Sequence, residues 1–386
     1  MNSVTWLSRP RMVLISDVSL GYGGPQLLRM AESFAITFGA DVHIFEPDEP
    51  ERRPVDIRQH TRSSGIRLTR IYTTAHPYFR QGRIEYCAQV AERVKALSPD
   101  ILLFATMYGI SILDHLDARR MLKIFYCLEE VDREYEYLFP LVRQCDIMIF
   151  PEDNRGRLYL ERLGNPLADP DVLLIYNTSD RSEWTDPDVR LDRMFYGGTF
   201  DRTVTFASYF LHDEMAAVPV DIYGIIRGFD DPEAIINRLD GHEGGPKFCG
   251  YRQSDDAFFK LLSRYLYSIV IWNPKREDHL YAAPNKFFDA IACGVPPIAA
   301  PHPQCIEIIR KWKCGILMDD WSFESFRMTL QRALKAAKSD YYRELAANCR
   351  RAMEEELSWG RQFDRLIPLV ERRLARLGAK PAAQTA

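Results

Sequence analysis

No run in this 386-residue chain is apolar over the length a bilayer requires, so any membrane contact is expected to be peripheral. The opening residues MNSVTWLSRPRM contain no apolar stretch of the signal-peptide kind. Paired cysteines are missing as well. Cys87, Cys127, Cys145, Cys249, Cys293, Cys305, Cys314 and Cys349 stand singly, no C-x-x-C occurs, and several lie inside apolar runs where cysteine acts as a small hydrophobe. A reducing cytoplasm therefore fits better than secretion. Charge of one sign is also lacking: 50 Lys and Arg against 54 Asp and Glu leave −4, which gives no global attraction to nucleic acid or an anionic membrane. The dinucleotide spacing G-x-G-x-x-G is absent, which disfavours a dehydrogenase. No Asp-x-Asp suited to a metal is found, and the pairs Asp230-Asp231 and Asp255-Asp256 read as solvated faces or helix caps.

What is present suits two α/β domains. The length exceeds one average domain, and 46% hydrophobic with 27% charged residues is ordinary for full cores. In the first half, short apolar runs at Met12–Ser16, Val42–Phe45, Ile66–Tyr72, Ile101–Ala105, Lys123–Tyr126 and Ile147–Phe150 predict buried strands. Helix-patterned segments such as Pro25–Phe38 and Ile84–Leu97 separate them, the alternation of a parallel sheet covered on both faces. Asp180–Arg193 is charged, contains Pro187 and reads as a linker. The pattern then restarts, with strands predicted at Arg193–Tyr196, Val220–Tyr223, Lys247–Cys249, Ser268–Trp272, Pro297–Ala299 and Gly315–Met318. Helices are predicted at Val204–Met215, Asp255–Tyr267, Asn285–Ala292 and Ser322–Ala337, and the Arg- and Glu-rich stretch Tyr341–Arg376 reads as helical. Lys380 to Ala386 reads as a disordered low-complexity tail. Phe200, Phe206, Tyr209 and Phe210 read as core, and His115 and His279 as surface or capping residues.

Two places suit phosphate chemistry. The turn Gly21-Tyr22-Gly23-Gly24 follows the first strand and leads into a helix, where glycines permit close backbone approach and free amides face a ligand; a tight turn with no ligand fits the same residues. More informative is IVIWNPKREDHLYAAPNKFFDAIACGVPPIAAPHPQCIEIIRKWKCGILM, Ile269 to Met318. Pro284 precedes a helix that begins at Asn285 and shows Asn285, Lys286 and Asp289 in its first turns, while Phe287, Phe288 and Ile291 supply packing. A cation and a hydrogen-bonding side chain at a helix start suit a diphosphate, and an acid one turn on suits ribose hydroxyls. A surface helix with a Lys–Asp pair at i, i+3 fits these residues equally well, at a few tenths of a kcal/mol.

The run PNKFFDAIACGVPPIAA resembles the donor-site signature of GT-B glycosyltransferases, closest to family 4 (group 1). The likeness continues, in the expected order, through Val172–Asp180, Phe195-Tyr196-Gly197-Gly198-Thr199, Phe248-Cys249-Gly250-Tyr251, Ile306–Ile309, Cys314–Leu317 and Leu357-Ser358-Trp359. Two departures stand out. Of the family's two glutamates, which have seven residues between them, the second maps to Asp289 and the first to Tyr281, and the Arg and Lys after the opening glycine strand are absent as a pair, leaving Arg202 nearby.

The resemblance implies two Rossmann-like α/β domains facing across a cleft: 1–182 for the acceptor, with a returning C-terminal helix at 360–380, and 190–358 for a nucleotide-sugar donor. It implies transfer of a sugar from a nucleotide-diphosphate sugar, UDP or GDP by preference, to an acceptor hydroxyl of a carbohydrate or lipid-linked sugar in polysaccharide or glycolipid assembly. The reaction would need no metal and no cofactor and would retain configuration, and the protein would lie in the cytoplasm or peripherally at the inner face of the membrane. Lys286, Arg202 and Glu130 (with Glu129 beside it) are the expected catalytic residues. Gly23, Gly24, Gly198, Thr199, Gly250, Tyr251, Arg252, Pro284, Asn285, Lys286 and Asp289 are the expected donor contacts, and Tyr108-Gly109 is a further candidate. Tyr281 in place of glutamate keeps open a non-catalytic nucleotide-sugar-binding scaffold or partner subunit. A nucleotide-sugar epimerase fits less well, because no acid/base set clusters near Asp289.

Overall fold

The computed structural model describes residues 9–20, 25–49, 63, 65–77, 79–105, 107–128, 133–164, 171–252 and 256–378. The chain divides into two compact units, Met1–Ile175 with Gln362–Ala386, and Tyr176–Arg361. The division falls at 175/176 rather than in the charged segment Asp180–Arg193, because residues 176–179 pack into the second unit.

Unit 1 is built on seven parallel strands: β1 (Arg11–Ile15), β2 (Asp41–Pro47), β3 (Ile66–Ile71), β4 (Ile101–Phe104), β5 (Leu122–Tyr126), β6 (Ile147–Phe150) and β7 (Asp171–Leu174), in the order β3-β2-β1-β4-β5-β6-β7. Every residue of β4, β5 and β6 is buried, as expected of strands covered on both faces. Helices α1 (Pro25–Thr37), α2 (Arg80–Leu97), the single turn α3 (Phe139–Val142) and α4 (Asp153–Leu163) flank the sheet. Tyr86 on α2 places its hydroxyl 2.5 Å from Ser16 O and 2.9 Å from Phe45 O, tying that helix to the carboxyl ends of β1 and β2. Gly109 lies so close to β1 that a Cβ would sit 2.8 Å from Ile15 Cγ2.

Unit 2 has six parallel strands: β8 (Leu191–Asp201), β9 (Val220–Arg227), β10 (Lys247–Phe248), β11 (Tyr265–Val270), β12 (Pro297–Ala299) and β13 (Ile316–Leu317), in the order β10-β9-β8-β11-β12-β13. Its helices are α5 (Pro232–Asp240), α6 (Asp256–Leu262), α7 (Glu277–Leu280), α8 (Asn285–Ala292), α9 (Pro303–Trp312), α10 (Phe323–Lys335) and α11 (Asp340–Ala352), followed by α12 (Trp359–Asp364), which runs into unit 1, and α13 (Ile367–Arg376) within unit 1. In unit 1 Phe363 meets Phe34 edge-on at 5.5 Å, and Arg372 and Arg373 bind Asp171 at 2.7 and 2.9 Å. Two of the tail arginines therefore anchor it to β7.

Three expected helices are corrected. Val204–Met215 folds as two 3-10 turns, Ala207–Leu211 and Asp213–Met215, because Phe206 takes a left-handed φ of 51° and breaks the α pattern. Phe200 and Phe210 are core there, as expected, with Phe206 and Tyr209 packed against it. Asp255–Tyr267 shortens to α6, since Tyr265 already belongs to β11, its hydroxyl donating to Asp221 Oδ2 at 2.7 Å. The stretch Tyr341–Arg376 breaks at a π turn, Met353–Leu357, and again before α13. Seven of the cysteines are buried, Cys249 is partly exposed, and all are free thiols. Among the described residues no helix is long and apolar enough to cross a membrane.

Candidate functional site

Open parallel sheets take ligands beyond the carboxyl ends of their strands. In unit 2 those ends carry Gly198 and Thr199 (β8), Gly224 (β9), Gly250 (after β10), Trp272 (after β11) and His302 (after β12). Helix α8 begins among them. Its residues Phe287, Phe288, Ala290, Ile291 and Ala292 are fully buried, so packing alone fixes the helix and leaves its amino end for other work. Pro284 is its N-cap, and no side chain caps the free amides. Gly294 closes the helix at φ +64°, where a Cβ would lie 2.2 Å from the Trp184 ring, so only glycine fits. Two residues of the segment Tyr176–Ser179 brace this region: Asn177 Nδ2 donates to Ala283 O at 2.9 Å, and Tyr176 stacks on Phe288 at 5.6 Å.

Lys286 is the central group. Its ammonium nitrogen is buried, makes no hydrogen bond, and lies 4.3 Å from the Tyr196 ring centroid and 4.4 Å from that of Trp272. The alternative of a surface helix with a Lys286–Asp289 pair is overturned: Lys286 has no ion-pair partner among the described residues, and Asp289 is itself buried at 7% exposure. Burial lowers the lysine to about 7. Aromatic faces offset part of the desolvation cost, on the order of 2 kcal/mol for a well-placed ring. They supply no hydrogen-bond acceptor, so all three N–H donors remain available to an anion. Asn285, one position earlier, also keeps a buried Oδ1 with no partner.

The glycines make the space. Gly198 has φ +116°, and a Cβ on it would stand 3.4 Å from Lys286 Nζ. Gly224 on the paired strand cannot carry a side chain at all, since its Cβ would lie 1.6 Å from Gly198 O. Gly250, at φ +77°, accepts from Gly224 N at 3.0 Å and faces open space. Thr199 is exposed on β8, with its carbonyl accepting from the Tyr196 hydroxyl at 2.7 Å. Tyr251 is 56% exposed, and Arg252 beside it is exposed. Arg202 is exposed on the turn after β8, where the Asp201 carboxylate caps Thr203 and Val204, and no bond joins Arg202 to Lys286. Gly23, Gly24, Glu129 and Glu130 lie outside the described residues. Tyr281, which stands where the family pattern has glutamate, ends α7 and is partly buried.

His302 joins the site without any motif in the sequence pointing to it. It is fully buried, with Nδ1 3.2 Å from Leu280 O and Nε2 without a partner. Burial, which outweighs the opposing hydrogen bond to Leu280 O, lowers this histidine to about 4, so it is neutral near pH 7. Its position at the end of β12 was the available signal. Trp272 and Tyr196 read only as strand residues, because nothing in their spacing shows that one lysine sits over both rings.

No protein-family model and no curated protein matches the sequence. Solved structures do. Sucrose-phosphate synthase from Thermosynechococcus elongatus is similar at a TM-score of 0.70 and 18% identity, covering 95% of this chain and 100% of that one. Anabaena HepE in complex with UDP-glucose is similar at 0.66 and 13%, covering 94% and 100%. The lipopolysaccharide outer core galactosyltransferase WaaB, apo form, is similar at 0.62 and 14%, covering 92% and 99%. The chain thus has the GT-B fold of these glycosyltransferases, the fold its PNKFFDAIACGVPPIAA segment resembles.

Proposed function

We propose that this protein is a glycosyltransferase that moves a sugar from a nucleotide-diphosphate sugar to an acceptor hydroxyl, with the donor held by unit 2. One observation carries the reading: the buried, unpartnered ammonium of Lys286 at the open amino end of α8. A buried cation without a counter-ion is costly unless a ligand supplies the charge. A diphosphate would also take the free amides at the helix start. Asp289, in the second turn of the same helix, is proposed to accept from ribose hydroxyls, and the backbone at Gly250, Tyr251 and Arg252 to contact the base.

In this reading Lys286 does the electrostatic work. As the glycosidic bond breaks, negative charge grows on the leaving diphosphate, and a fixed cation in a desolvated site stabilises it without proton transfer. Arg202, exposed on the turn after β8, would close on the same phosphates. Transfer is proposed to proceed without a metal and with retention, in polysaccharide or glycolipid assembly. UDP or GDP is the proposed carrier, in keeping with HepE, whose structures hold UDP and UDP-glucose. The test is release of UDP or GDP from a panel of nucleotide sugars on addition of carbohydrate acceptors, with EDTA present. Acceptor-dependent release that is lost in Lys286→Ala supports the reading. Binding without turnover across the panel would move it to the non-catalytic scaffold that Tyr281 keeps open.

A further inference from the structure

Unit 1 holds a second buried cation, at Arg83 in the first turn of α2, only 6% exposed. Its guanidinium carbon stands 5.7 Å from the Tyr108 ring centroid, 5.2 Å from Tyr135 and 6.0 Å from Tyr137. Nη2 donates to the Tyr137 hydroxyl at 2.7 Å, whereas Nη1 is buried and donates to nothing. Among the described residues no carboxylate pairs with it. A guanidinium has five N–H donors and cannot shed its charge at any ordinary pH.

Two structural arginines of unit 2 are satisfied differently. Arg190, 3% exposed, donates to Thr185 O, Gly294 O and the Tyr342 hydroxyl. Arg193 reaches Asp221, Val220 O and Gly245 O. Arg83 has three ring faces and a single phenol. Tyr137, the residue that covers it, is 59% exposed and turns outward at little cost. The cluster also lies where a parallel sheet binds ligands: Tyr108 follows β4, Tyr135 and Tyr137 follow β5, and Arg83 opens the helix after β3.

We propose that Arg83 and its tyrosine cage form an oxyanion subsite for the acceptor, which is a sugar bearing a phosphate or a carboxylate. The word acceptor rests on the transferase reading above; the anion site itself does not. The oxyanion displaces the neutral Tyr137 hydroxyl from Nη2 and takes Nη1 as well, a bidentate, charge-assisted geometry that a guanidinium favours over a phenol. The Tyr108 and Tyr135 rings then wall the sugar.

The test is calorimetric titration of the full chain, without nucleotide, with inorganic phosphate, glucose 6-phosphate, glucuronate and glucose, on the wild type, Arg83→Gln and Tyr137→Phe. We expect glucose 6-phosphate or glucuronate to bind at least tenfold more tightly than glucose, and the preferred one tells phosphate from carboxylate. Arg83→Gln should lose that preference. Tyr137→Phe, an exposed and fold-neutral change, should bind the anion severalfold more tightly because the competing hydroxyl is gone. No preference for an anion, or a preference kept in Arg83→Gln, overturns the proposal. If Arg83→Gln does not fold, an unchanged affinity in Tyr137→Phe overturns it. UDP is titrated in parallel: anion binding without UDP binding fails the donor reading and leaves this site standing, and the reverse result fails this site alone.

Discussion

Gly198 and Lys286 share one space: a Cβ on the glycine would lie 3.4 Å from the lysine ammonium, at a backbone φ of +116°. A side chain here both strains β8 and crowds the face of the amine that a diphosphate would use. Gly198→Ala should therefore cost roughly 1 kcal/mol or more of stability and weaken nucleoside diphosphate binding at least tenfold, read by chemical denaturation and by titration. Full binding in this variant would contradict the position given to the phosphates.

Lys286 sets an opposition between stability and binding. The amine titrates at about 7 in the folded chain and near 10.4 unfolded. Between those values the unfolded state binds more protons, so the lysine's penalty is full below pH 7 and fades as pH rises toward 10. Lys286→Met should thus be more stable than the wild type at pH 6.5, by about 1 to 3 kcal/mol, with the gain shrinking through pH 9. Binding of the nucleotide should be lost. A variant less stable at pH 6.5 would show that the ammonium has a partner in the folded state.

The same titration predicts the pH course of binding. A diphosphate needs the charged lysine, so affinity should fall above pH 7, by up to roughly tenfold per unit. Binding at pH 8 to 8.5 should take up close to one proton, measured by calorimetry in buffers of different ionisation enthalpy. Proton release or pH-independent affinity would mean that Lys286 does not meet the anion.

Asn177 holds the entry to α8 through its bond to Ala283 O. Asn177→Ala should cost about 1 kcal/mol and loosen the loop that carries Pro284. Donor KM should rise severalfold more than kcat falls. An unaltered KM would separate this brace from the site.

The parts of this account legible in the sequence are those where one local rule decides. The strands Ile101–Ala105 and Ile147–Phe150 are unbroken apolar runs, Lys123–Tyr126 is apolar after its opening lysine, and α8 runs over Asn285–Ala292 as its Pro and Gly boundaries predict. Where apolar residues continue without punctuation, as in AFFKLLSRYLYSIVIW, periodicity cannot separate α6 from β11, and the helix was read too long. The site was half legible. The sequence placed Lys286 at a helix start, but its burial between Tyr196 and Trp272, residues 90 and 14 positions away, follows only from the register of β8 beside β11. His302 and the Arg83 cage are likewise products of tertiary packing, in which distant side chains converge on one group.

The most direct test is calorimetric titration of UDP and GDP into the wild type, Lys286→Ala and Asp289→Ala at pH 7. The account predicts that one nucleotide binds the wild type and that each substitution, in a chain still melting cooperatively, weakens it at least thirtyfold. Absence of binding by both nucleotides, or wild-type affinity in Lys286→Ala, would contradict the claim that α8 of unit 2 holds a nucleotide diphosphate.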